Sequence, residues 1–202
     1  AYNNIGAILT KQNKYDEALE YYFKSLKLSE ELDDKSAVSN NYYNISEIYA
    51  KQGKYKEAIE TQQTALKINE EIGYKQGAGD NYSALGSIYT QQGNYDSAID
   101  YLDKALYLYG EMGYKEGMAD AHVGIGNTLI AHASSEKRDQ ALVTYTKALE
   151  HFNQGKDLAM EISLTETLKS AYKGLSDTYA CMLDYKNALE YQSLYITLKD
   201  SL

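Results

Sequence analysis

The side chains able to carry covalent or metal chemistry in this 202-residue chain are three histidines, one cysteine and scattered carboxylates. Metal binding or general acid–base work would need His122, His132 and His151 to converge with carboxylates. His122 instead stands in a column otherwise held by tyrosine, and His151 lies on the following helix beside an aliphatic column, so both read as packing or surface residues. Cys181 sits at a hairpin end with no histidine near it in sequence, which leaves its thiol without a base. A lone cysteine excludes an intrachain disulfide and a multi-cysteine metal centre, and does not fix the redox compartment. Gly77-Ala-Gly79 neither follows a strand nor belongs to a longer phosphate-binding motif. The expectation is therefore a protein without catalytic residues, metal or cofactor, not an enzyme.

What remains is hydrogen bonding and charge. The net charge of −9 and the lack of any Lys/Arg run exclude a surface that tracks nucleic-acid phosphates. Acid pairs such as Glu30-Glu31 and Glu70-Glu71 fall near helix C-termini, where they oppose the helix dipole and read as a solvated face. No stretch approaches a membrane span, and the first residues lack the basic-then-apolar order of a secretory leader. Direct membrane insertion is thus not expected, and the cytoplasm and a bacterial periplasm both stay open.

Any binding groups must be positioned by a repeat that can be found by counting. Tyr15-Asp-Glu-Ala18 recurs as Tyr55-Lys-Glu-Ala58 and Tyr95-Asp-Ser-Ala98, each 40 residues on, and again as Tyr185-Lys-Asn-Ala188. Ahead of it run a Tyr/His column (Tyr2, Tyr42, Tyr82, His122, Tyr172) and a small-residue column (Gly6, Ser46, Gly86, Gly126, Ser176). Behind it run Ala18, Ala58, Ala98, Ala141 and Ala188, then Leu26, Leu66, Leu106, Leu149 and Ile196. Spacings of three, four and seven mark one face of a helix on each side of a short polar turn such as Gln52-Gly53-Lys54. Each unit is a helical hairpin in which small residues let two backbones approach. Gly73 and Gly113 are placed to end helices in the left-handed conformation. The chain contains no proline, so its helices can run long.

The order large aromatic, Leu, Gly, Tyr, Ala, aromatic, Ala resembles the tetratricopeptide repeat (TPR) family. In the second unit those places are Tyr42, Ile45, Ser46, Tyr49, Ala58, Gln62 and Ala65; in the third, Tyr82, Leu85, Gly86, Tyr89, Ala98, Leu102 and Ala105. The resemblance covers essentially the whole chain. It implies an all-α, right-handed superhelical solenoid of five helix-turn-helix hairpins, about ten antiparallel helices, in a single domain over 1–202 with repeats at about 1–34, 35–74, 75–114, 115–163 and 164–202. The 40-residue period exceeds the family's commonest 34. It resembles the arrays of kinesin light chain, of a polarity adaptor that binds G-protein subunits and of bacterial peptide-responsive regulators, and still more the sensory arrays that precede histidine kinase, cyclase or transcription-factor modules in Bacteroidetes-type bacteria.

Repeat four departs from the pattern. Three extra residues fall around Ala133–Arg138, with Arg138 where other units place Tyr, which predicts a longer turn. Seven more, two helical turns, should lengthen the second helix ahead of Ser163, whose spacing to Glu166 fits a capping box. Length variation is the simpler account of this insertion; a docking ridge is the other. Ala1 falls inside the first helix of its unit, which suggests a piece of a larger protein. At the other end Leu194, Tyr195 and Leu198 lie on a final helix with no further repeat to cover it, a face for domain docking or a homodimer.

The candidate binding residues are the polar side chains of each first helix that packing does not need. These are Asn4, Asn40, Tyr43, Asn44, Glu47, Asp80, Ser83, Ser87, Asp120, Asn127, Lys173 and Asp177, expected along the inner, concave wall of the array. Asparagine amides offer a donor and an acceptor and can hold an extended peptide backbone without reading its sequence. Long-period relatives use an asparagine ladder for this. The matching places here are Asn4 and Asn44, followed by Ala84, Gly124 and Gly174, so only two rungs remain. Glu47, Asp80, Asp120 and Asp177 against Lys173 favour a basic or neutral partner. The expected function is a protein- or peptide-binding module, the sensory part of a bacterial signalling protein; the alternative is a spacer or dimerisation scaffold.

Overall fold

The computed structural model describes residues 1–200, so the last two residues of the fifth expected repeat lie outside it. Among the described residues there are ten helices and no strand: α1 (Tyr2–Lys11), α2 (Tyr15–Glu31), α3 (Lys35–Lys51), α4 (Tyr55–Glu71), α5 (Lys75–Gln92), α6 (Tyr95–Met112), α7 (Lys115–Ala133), α8 (Arg138–Glu161), α9 (Thr165–Cys181) and α10 (Tyr185–Asp200). Among the described residues no helix is long and apolar enough to cross a membrane. The chain divides into two compact units, Ala1–Ile88 and Tyr89–Leu202.

Turn chemistry recurs every 20 residues. Asn13, Asp33, Gly53, Gly73, Gly93 and Gly113 all have positive φ, and Ser163 and Leu183 resume the series after the long fourth repeat. After each of them one backbone N–H reaches back five residues, as in Lys54 N to Tyr49 O at 2.9 Å and Asp184 N to Tyr179 O at 2.9 Å. This is the Schellman closure, which satisfies the last carbonyls of a helix and reverses the chain. It occurs inside hairpins and between them alike. The closure at Ser163 corrects one expectation: Leu164, not Ser163, precedes α9, and no side chain caps it. A residue already in the left-handed conformation cannot also serve as N-cap, which needs an extended backbone. Between α7 and α8 the closure is missing, and Ser134 and Ser135 hydroxyls donate to the Ile130 and His132 carbonyls instead.

In the first unit the alanine columns are sealed: Ala18, Ala58 and Ala65 are 0% exposed. Gly6 faces the ring of Tyr22, where an added Cβ would stand 2.8 Å from Cε1. Where the small residue is Ser46, its hydroxyl donates to the Ala58 carbonyl at 2.9 Å. The place of Tyr22 is then taken by Gln62, which is 0% exposed and has neither amide atom hydrogen-bonded. An unpartnered buried amide costs about 1–3 kcal/mol, and Leu102 fills the same place in the third repeat. Gln62→Leu is therefore expected to raise stability by about 1–2 kcal/mol, read as a higher urea midpoint at unchanged m-value. A lower midpoint would show that the amide has partners in solution.

In the second unit Ala98, Ala105 and Ala148 are 0% exposed. Helix α8 has 24 residues against 17 for α2 and α4, so the sequence insertion lengthens it as expected. Its Phe152 is 0% exposed and forms the centre of a core with Leu102, Val123, Ile125, Leu129 and Leu175. The ring lies against Gly126 of α7 and Gly174 of α9, and a Cβ at either glycine would overlap it.

Candidate functional site

All twelve sequence-predicted wall residues lie on first helices of hairpins: Asn4 on α1; Asn40, Tyr43, Asn44 and Glu47 on α3; Asp80, Ser83 and Ser87 on α5; Asp120 and Asn127 on α7; Lys173 and Asp177 on α9. Each is exposed or half-buried, whereas Ile45, Leu85, Ile125 and Leu175 of the Ile/Leu column on α3, α5, α7 and α9 are buried; on α1 the matching Ile5 is exposed. Helical periodicity produces this separation, because residues one or two places away from the packing face turn outward.

In the first unit three of them share a hollow. Asn40, Tyr43 and Asp80 line it with Ser39, Asn69, Tyr74, Gly77 and Asn81, and it holds about 230 Å³. The hollow exists because Gly77 has no side chain: a Cβ there would stand 2.5 Å from the Tyr74 ring and 2.6 Å from Asn69 Nδ2. Burial pushes the Tyr43 hydroxyl up to about 12, with the Glu47 and Asp80 carboxylates adding to the shift, so it keeps its proton at neutral pH. Asn44 Nδ2 donates to Asn3 Oδ1 at 2.9 Å, which ties α3 to α1 and leaves Asn4 exposed beside that bridge. Glu47 pairs with Lys51 at 2.7 Å on its own helix. Ser83 is half-buried and Ser87 exposed farther along α5.

The second unit does not gather its candidates into one hollow. Asp120 accepts a hydrogen bond from Thr167, which joins α7 to α9. Asn127, Lys173 and Asp177 are exposed. A different hollow forms where Arg138 replaces the tyrosine of other repeats, lined by Ala133, Glu136, Arg138, Tyr145 and the exposed Cys181. On the terminal helix Leu194 is exposed and Tyr195 and Leu198 are half-buried, with Leu189 more exposed than any of them.

Two arrangements escaped sequence reasoning. The floor of the first hollow is a pair of amides, Asn69 Nδ2 donating to Asn81 Oδ1 at 2.6 Å. Its signal was a polar residue repeated 40 apart, since Asn41 makes the matching contact to Ser29 Oγ at 3.3 Å. The other is a histidine pair: His122 Nδ1 and His151 Nδ1 lie 3.1 Å apart. Counting down one helix and up the other pairs these places, which hold Tyr42 and Ile68 in the second repeat. Burial, then the neighbouring His151, lowers the His122 pKa to about 4. Burial likewise lowers His151, although Asp103 and Glu150 oppose the shift. No group of three or more His, Cys, Asp or Glu side chains able to hold a metal occurs among the described residues.

Comparison with known proteins agrees with this geometry. Two tetratricopeptide repeat models match residues 1–71 and 79–112, together just over half of the chain. A search of curated protein sequences finds no match. Among solved structures the chain is similar to a Rap protein complexed with Competence and Sporulation Factor (TM-score 0.81, 17% identity, 98% of this chain and 52% of that one). It is also similar to BtubC (BKLC) from P. vanneervenii (TM-score 0.70, 19% identity, 97% of this chain and 77% of that one). A third is a Signal Transduction ATPase with Numerous Domains carrying a tetratricopeptide repeat sensor, from Pyrococcus horikoshii (TM-score 0.76, 20% identity, 99% of this chain and 30% of that one). The chain thus spans about half of the Rap protein and under a third of the archaeal one.

The fold is an all-α helical-hairpin repeat of the solenoid class. The chain belongs to the tetratricopeptide repeat family.

Proposed function

We propose that this chain is a non-catalytic module that binds a peptide or protein segment along its first helices, with the five hairpins acting as one array, and that it serves as the sensory part of a signalling protein. The observation that carries this reading is the polar row on α3 and α5, with Asn40 and Glu47 exposed and Tyr43, Asn44, Asp80 and Ser83 half-buried, while Ile45 and Leu85 of the packing column are buried. Amide and hydroxyl groups in such a row suit a backbone of alternating donors and acceptors. The similar Rap structure contains a Competence and Sporulation Factor and the archaeal relative has its repeats as a sensor, which supports a regulatory role here. Glu47 and Asp80 favour a basic or neutral segment over an acidic one. A bacterial setting with a kinase, cyclase or transcription regulator attached is part of the same proposal.

The test is a peptide array probed with the chain and with an Asn40→Ala/Asn44→Ala/Glu47→Ala variant whose melting has been checked. Loss of capture by about tenfold or more is expected. Equal capture by the two would remove the wall from the account. A second reading, self-association through α10, is favoured by Leu189, which is 69% exposed, with the exposed Ile196 two turns on along the same face and the exposed Leu194 on another. Light scattering across concentration distinguishes it, through a dimer that Leu189→Ser/Leu194→Ser abolishes.

A further inference from the structure

The hollow of the first unit has a feature that packing does not explain. Asn81 is only 1% exposed, and its Oδ1 is occupied by Asn69. Its Nδ2 is buried without a hydrogen-bond partner, in a residue that lines an open cavity. A buried N–H without an acceptor is costly, and a cavity beside it is where an acceptor can be supplied from outside. Neighbouring groups narrow the choice. Ser39 Oγ already donates to the Ala65 carbonyl at 3.1 Å, so it stabilises the wall. Asp80 lines the same hollow with the protonated Tyr43 hydroxyl, and Glu47 adds negative potential at Tyr43. The cavity thus combines a buried donor, Asn81, with one acidic group, Asp80, in its lining.

We propose that this hollow is a subsite for one residue of the bound chain, in which Asn81 Nδ2 donates to a carbonyl oxygen and Asp80 faces a cation carried on the same residue. This deepens the function proposed above and rests on it. A carbonyl and a cation occur together in two sources: a lysine or arginine within a peptide, and the first residue of a chain, whose ammonium stands next to its carbonyl. A carboxylate ligand would satisfy Asn81 but meet Asp80 with like charge. The volume of about 230 Å³ suits a single residue and not a longer segment.

The experiment follows the Asn81 side-chain amide by ¹⁵N–¹H correlation in the full chain while three probes are titrated into the millimolar range. Nα-acetyl-L-lysine amide tests the side-chain source, L-alanine amide the chain-terminal source, and Nα-acetyl-L-norleucine amide supplies the carbonyl without charge. A saturable shift of the Asn81 resonance with either cationic probe, about tenfold tighter than with the norleucine probe, supports the subsite, and the probe that binds names the source. Asp80→Asn keeps the size of the side chain and should erase that preference, which keeps the proposal testable should Asn81→Ala fail to fold. No shift with any probe, or equal shifts with the neutral probe, overturns it. If a basic peptide is captured while the Asn81 resonance stays still, the subsite fails and the binding module stands. If no peptide is captured at all, the module reading itself fails.

Discussion

Phe152→Ala should remove about 3–5 kcal/mol of stability, a large part of what a domain possesses. The ring is fully buried between α7, α8 and α9, and the two glycines that receive it cannot move inward to fill the space it leaves. Because contacts in a repeat array run between neighbours, hydrogen exchange should quicken in α7 to α9 and change little in α1 to α4. Gly174→Ala approaches the same contact from the other side, since its Cβ would overlap the ring, and should cost about 1–3 kcal/mol. With Phe152 already truncated that cost should largely vanish, so the double variant is expected to be much less than additive. Additive losses would mean that the ring does not occupy the glycine cleft.

The histidine pair gives the second large effect, in the dependence of stability on pH. His122 binds its proton near pH 4 in the folded chain, against about 6.5 when unfolded. Between these values the unfolded chain takes up a proton that the folded chain refuses, so stability must fall as pH drops from about 6.5 to about 4 and level off below. With solvent screening of a partly buried pair allowed for, the loss should be about 1–2 kcal/mol. The physical reason is burial, joined by the position of His151, whose Nδ1 lies within hydrogen-bond distance of His122 Nδ1. One hydrogen can be shared between those two nitrogens; two cannot. Asp103 and Glu150 face His151 and soften its own shift. His122→Tyr restores the residue found in the other four repeats and should flatten this part of the profile. Urea midpoints measured every half pH unit for both chains check it; equal slopes would contradict the assignment.

Much of the fold was legible because tetratricopeptide packing writes itself in residue sizes. Ala58 and Ala65 had to be small for two helices to meet, and Ser46 had to be small beneath the residue at 62. The turns were legible only where glycine marks them. Asn13, Asp33, Ser163 and Leu183 adopt the same left-handed conformation, yet nothing in a leucine announces it; the closure is imposed by the helices on either side. That is why Ser163 looked like a helix cap. The wall residues were legible as a face but not as a network. Which amide is engaged, as Asn44 is with Asn3, depends on side-chain reach between helices 41 residues apart in sequence. Asn81 carries no signal in the sequence pattern, since its importance lies in a missing bond that only coordinates disclose.

Placing a bound peptide on the molecule tests the central claim most directly. A captured basic peptide carrying a nitroxide spin label should broaden the amide signals of Asn40, Asn44, Glu47 and Ser83 on α3 and α5, and spare Lys56, Glu60 and Thr64 on α4. Broadening centred on α4, or on Leu189 and Ile196 of α10, would contradict a binding wall made of first helices.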